Sequence, residues 1–195
     1  MSGRIVVLIS ASGTNMEALV DACHKGDVPG DVAAVVADRD CLGITLAKRR
    51  GIATSVIEPK NFDDRDTWSE ALRDRVASFR PDLVVSAGFM RVLSPAFVDA
   101  FADRLINLHP SLLPAFPGAH AVRDALEAGA SETGTTIHFI DHEVDHGPII
   151  KQARVPIVAD DDEAALHERI KEAEHALLPE VCTIFLRGEV TRTSG

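Results

Sequence analysis

The sequence predicts an α/β fold: a Rossmann-like, mostly parallel twisted sheet with helices on both faces and a C-terminal antiparallel hairpin. Three observations lead there. Short β-branched runs such as residues 5–9 (IVVLI) are apolar throughout, as strands buried on both faces are. Segments with helical spacing alternate with these runs, which calls for βαβ crossovers. Two late runs, 135–140 and 149–155, are joined by residues 141–148 alone, a link short enough for an antiparallel turn.

Residues 5–9 form the first strand, and 10–15 (SASGTN) a turn of small and polar residues. The next helix, 16–22, carries Met16, Leu19 and Val20 on one side. A second strand over 32–37, a helix over 43–50 and a third strand over 54–57 follow. On the longer helix 64–79, Trp68, Leu72, Val76 and Phe79 recur at helical intervals, and Pro81 stops it. Residues 83–86 give the fourth strand, a short helix starts near Pro95, and 105–108 give the fifth strand. The loop 109–120 holds three prolines, which admit a cis Leu113–Pro114 bond. A helix over 121–127 ends at Gly129. After the hairpin, the acidic run 160–163 suits a helix N-terminus. Leu166, Ile170, Ala173 and Leu177 carry the buried face of that last helix, and Pro179 is expected to kink or divide it. No composition shift marks a boundary, so residues 1–195 read as a single domain.

The net charge of −10, with no Lys/Arg block, argues against nucleic acid and anionic membranes as partners. An anionic substrate then needs local help from backbone N–H groups or a few placed cations. Three cysteines at long spacings, with no C-x-x-C pair, argue against a disulfide framework and a thiolate zinc site. With no signal peptide and no membrane-length apolar stretch, the expected location is the reducing cytoplasm.

In such sheets ligands bind beyond the carboxyl ends of the strands. The turn with Gly13, Thr14 and Asn15 follows a buried strand and opens a helix, a place that attracts phosphate. It has neither G-x-G-x-x-G nor a Walker lysine, so NAD and ATP are poorly supported; a dehydrogenase using Asp38 near a ribose is disfavoured by the single glycine. Asn107 and His109 are two apart on a strand end and point the same way. An amide can donate to an oxyanion, and an imidazole can act as acid, base or cation near neutral pH. Asp145, in the acidic link 141–148, could deliver a carboxylate to His109 and fix its tautomer. His138, His142 and His146 are spaced by four, but a strand over 135–140 breaks that helical pattern, so no metal site is expected. Arg65 and Arg91 are candidate anion partners. Ser111 follows Pro110 without a nucleophile elbow, which disfavours a Ser-His-Asp hydrolase.

Taken in order, IVVLISASGTN, AGFMRVLSPAFV, INLHPSLLPAFPGAHAVRDALEAG, GTTIHFID, VDHGPII and EAEHALLP resemble the folate-dependent glycinamide ribonucleotide transformylase (phosphoribosylglycinamide formyltransferase) family over nearly the whole chain. The resemblance implies the formyltransferase fold and a reaction. The glycyl amine of 5'-phosphoribosylglycinamide takes the formyl group of 10-formyltetrahydrofolate, a step of purine biosynthesis needing no metal. It implies Asn107, His109 and Asp145 as catalytic residues. Gly13, Thr14 and Asn15 would hold the substrate phosphate, with Lys171 and Glu174 on the same substrate and Glu174 at the ribose. Arg65, Met90, Arg91, Val92, Leu93, Asn107, Asp141, His142, Glu143, Val144 and Asp145 would lie on the folate side. The family also admits a homodimer. Ala11 and His146 depart from the family pattern. Formyltetrahydrofolate hydrolase, with the same Asn, His and Asp, is the nearest alternative; methionyl-tRNA formyltransferase would need a basic surface that this chain lacks.

Overall fold

The computed structural model describes residues 2–192. Its strands are β1 (Gly3–Ile9), β2 (Gly30–Ala37), β3 (Ala53–Val56), β4 (Leu83–Ser86), β5 (Leu105–His109), β6 (Glu132–Phe139) and β7 (Ile149–Pro156). They form one sheet of order β3-β2-β1-β4-β5-β6-β7. The pairs from β3 through β5 are parallel, and β6 and β7 are added antiparallel at one edge. The helices are α1 (Thr14–Lys25), α2 (Leu42–Arg49), α3 (Arg65–Ser78), α4 (Pro95–Phe101), α5 (Ala121–Glu127) and α6 (Glu163–Leu186).

The apolar run in β1 is explained by layers on both sides. Ile5, Val7 and Ile9 pack with Met16 and Leu19 of α1, Ile44 of α2, and Leu177 and Val181 of α6. Val6 and Leu8 face the opposite layer, with Trp68, Leu72 and Val76 of α3 and Phe97 and Phe101 of α4. The five side chains from Ile5 to Ile9 are fully covered, and each such burial stabilises the fold by roughly 1.5–3 kcal/mol. A smaller cluster joins Val122, Val155, Leu166 and Ile170.

Helix ends follow the local chemistry. Asp64 caps α3 by accepting the Thr67 N–H at 2.8 Å, and Ser94 caps α4 ahead of Pro95. In the acidic run before α6, Asp162 accepts the Ala165 N–H at 2.7 Å while Asp161 binds Arg169. Pro179 lies inside α6 without dividing it. The Thr183 hydroxyl donates to the Pro179 carbonyl in the next turn. His109 belongs to β5 rather than to the loop after it, and β6 begins at Glu132, ahead of the expected start. The Leu113–Pro114 bond is cis. The link between β6 and β7 is held by a close approach: a Cβ on Gly147 would lie 1.9 Å from the Phe139 carbonyl oxygen, so only glycine fits.

Candidate functional site

The strand ends at the carboxyl side of the sheet open onto a cleft of about 570 Å³. Gly13, Thr14 and Asn15 line it from the turn before α1, and Met90, Arg91, Val92 and Leu93 from the loop after β4. Asn107 and His109 enter from the end of β5, Asp141 to Asp145 from the β6–β7 link, and Lys171 and Glu174 from α6. Arg65 is the exception among the expected residues. It opens α3 outside the cleft lining, and its guanidinium donates to the Val92 carbonyl at 2.9 Å, so it braces the rim.

The turn is shaped by Gly13, which adopts φ 75° and contributes no side-chain cap to α1. The first N–H groups of a helix have no partner within it, and together with the helix dipole they favour an anion. Asn15 does not cap α1. Its Nδ2 donates to Oε2 of Glu174 at 2.7 Å, tying the turn to α6. Burial raises the Glu174 pKa, and the Asn15 and Lys171 contacts counter only part of that. The Asn15 Oδ1 is buried without a partner. Lys171 donates to Glu168 at 2.7 Å along the same helix.

At the other end of the cleft a carboxylate stands among three side chains. Oδ2 of Asp145 lies 3.4 Å from Nδ1 of His109 and accepts the Gly118 N–H at 2.8 Å. Oδ1 accepts from Nδ2 of Asn107 at 3.4 Å and lies 3.7 Å from Nε2 of His138. Burial pushes the Asp145 pKa up. The neighbouring His138 ring, the Gly118 N–H and the His109 imidazole outweigh that, so the net shift is downward and the group is a carboxylate. Its backbone sits at φ 55°, a left-handed conformation that Asp tolerates better than most residues.

The hydrogen-bond roles follow from the acceptors. Nε2 of His109 meets the Phe116 carbonyl at 2.9 Å, while Nδ1 faces the carboxylate. Nε2 therefore donates to that carbonyl, and a protonated ring would turn its second N–H, at Nδ1, toward Asp145. Nδ1 of His138 must donate to the Phe139 carbonyl at 2.8 Å, so the neutral ring accepts from Asn107 at Nε2, 3.2 Å away. Asn107 therefore turns its NH₂ toward His138 and Asp145. This arrangement can stabilise an oxyanion with an amide and a cation, and can accept a proton at Asp145.

A model of the formyl transferase family matches residues 3–182. The chain belongs to the formyl transferase family. This formyl transferase is 46% identical over 188 residues to phosphoribosylglycinamide formyltransferase of Escherichia coli (strain K12), a match covering 96% of this chain and 89% of that protein. It is 44% identical over 188 residues to the trifunctional purine biosynthetic protein adenosine-3 of Drosophila melanogaster, covering 95% of this chain and 14% of that one. Glycinamide ribonucleotide transformylase 1 from Symbiobacterium toebii has the same fold, with a TM-score of 0.95 and 41% identity over 100% of this chain and 95% of that one.

Sequence reasoning missed two contributors in this formyl transferase. His138 enters the site because Asn107 and His138 are paired directly across β5 and β6. Residues directly opposite in an antiparallel pair share a face, but that register is not written in either strand alone. Gly118, in the loop before α5, supplies an N–H to Asp145 and has no side chain to signal a role. Among the described residues, no group of three or more His, Cys, Asp or Glu is placed to hold a metal ion, and no helix is long and apolar enough to cross a membrane.

Proposed function

We propose that the chain transfers the formyl group of 10-formyltetrahydrofolate to the glycyl amine of 5'-phosphoribosylglycinamide, as one domain acting in purine biosynthesis. The observation that carries this reading is the convergence of Asn107, His109 and Asp145 at one end of a cleft whose other end is the α1 turn. The names of the relatives support the acceptor and the transfer of a formyl group, and the single sheet supports one domain. Three free cysteines fit a cytoplasmic setting.

The phosphate would sit on the α1 turn, with the ribose hydroxyls at Glu174. The folate would lie against Met90 to Leu93 and the Asp141 to Asp145 link, with Arg65 bracing its rim. The amine attacks the formyl carbon, the carbonyl electrons move onto oxygen, and a tetrahedral oxyanion forms. Asn107 donates to that oxygen, exchanging one of its long contacts for a shorter one. The imidazolium of His109 supplies positive charge beside it, and its proton can pass toward the departing folate nitrogen. Asp145 holds His109 and takes the proton released by the attacking amine, directly or through water. Collapse of the oxyanion expels tetrahydrofolate and leaves the formamide.

A formyl-transfer assay with three acceptors tests the reading: the ribonucleotide, water and charged tRNA. Turnover is expected with the ribonucleotide, and faster turnover with water would favour the hydrolase instead.

A further inference from the structure

One buried carboxylate beside the cleft is not used by this chemistry. Asp38 follows the last residue of β2, and its side chain is completely covered. Its Oδ2 accepts from Nε of Arg91 at 2.7 Å and from Nη2 of Arg39 at 2.8 Å, and its Oδ1 accepts from Nε of Arg39 at 3.1 Å. Because β1 lies between β2 and β4, the contact to Arg91 reaches across the end of β1 to the loop after β4. Ser10, the first residue past β1, fills that crossing. Its N–H donates to the Gly88 carbonyl at 3.1 Å, and its Oγ accepts the Met90 N–H at 2.8 Å.

Burial alone would push the Asp38 carboxyl up. Hydrogen bonds from Arg39, Arg91 and Ser10 outweigh it and bring the pKa to about 2, so the charge persists through the neutral range. With both oxygens engaged and no exposed surface, Asp38 is not free to meet a ribose. The loop it touches needs an anchor: Met90 is 60% exposed and Val92 58%, and neither packs into a core cluster.

We propose that Asp38 and Ser10 are positioning residues for the formyl donor, holding Met90 and Arg91 so that the loop meets the folate in one geometry. This rests on assigning residues 90–93 to the folate side. A buried, charge-assisted bond is among the stronger ones, and its loss leaves Arg91 free to swing.

The test is steady-state kinetics on the wild type, Asp38→Asn, Arg91→Ala and the double variant, with thermal midpoints confirming folding. Each single variant is expected to raise the KM for 10-formyltetrahydrofolate by about tenfold, and Asp38→Asn to leave the ribonucleotide KM and kcat within about twofold. The double variant is expected to be no worse than the poorer single one, because one shared contact is lost once. Additive effects, or equal rises in both KM values, would overturn the proposal. If Arg91→Ala leaves the folate KM unchanged, the assignment of this loop to the folate fails and the proposal falls with it. Should Asp38→Asn not fold, Ser10→Ala removes a hydroxyl without a charge. It is expected to raise the folate KM by about threefold, and an unchanged folate KM overturns the proposal.

Discussion

Asp145 approaches His109 to 3.4 Å from a backbone held in the left-handed region, at φ 55°. The strained turn aims the carboxylate at the imidazole, and Gly118 and Asn107 fix its two oxygens. Replacing Asp145 by Asn keeps the shape and the tolerance for that backbone but removes the charge. We expect Asp145→Asn and His109→Ala each to lower kcat by at least about 10²-fold, and the double variant to lose little more, since the two act as a unit. Single-turnover formyl transfer checks this. Near-wild-type rates in either variant would reject the roles.

His138 orients Asn107 from behind, through the 3.2 Å contact to its Nδ2. His138→Ala frees the amide to rotate. We expect kcat to fall by about tenfold while both KM values change by less than about threefold, as for a donor that matters most in the transition state. A loss confined to KM would contradict this.

Gly147 sets the path of the link that carries Asp145. In Gly147→Ala the new Cβ meets the Phe139 carbonyl, which is backbone and cannot swing aside. We expect a loss of roughly 3 kcal/mol in stability and of about 10²-fold in kcat from displacement of Asp145. Thermal unfolding and turnover, measured together, decide it; an unchanged midpoint would show that the link has room.

Asn15 and Glu174 form one polar bridge between the α1 turn and α6, at the end of the cleft proposed for the ribonucleotide. We expect Asn15→Ala to raise the ribonucleotide KM by about tenfold and the folate KM by less than about twofold. Equal rises for both substrates would place Asn15 elsewhere in the binding scheme.

Asp38 also makes the fold acid-sensitive in a defined direction. Its folded pKa, about 2, is below the ordinary 3.8, so its stabilisation is fully present above 3.8 and fades as pH falls toward 2. Asp38→Asn should therefore be destabilised relative to wild type more at about pH 5 than at about pH 3. Urea unfolding at the two pH values measures that difference, and a gap that widens in acid would contradict the sign.

The residues of this chain determined a good deal by themselves. The all-apolar run at Ile5 to Ile9 announced a strand covered on both faces, because no polar face was left for water. Trp68, Leu72 and Val76 announced the buried stripe of α3, and the Asn-Leu-His spacing put two chemical groups on one side of β5. These are short-range patterns, set by the period of a helix or strand. Only the tertiary structure decided that Asn107 faces His138, that Asp145 turns back onto His109, and that Asp38 reaches across β1 to Arg91. Each depends on strand register, strand order or a loop's approach to distant backbone. Those are fixed by the packing of the whole sheet, and no local run of residues encodes them.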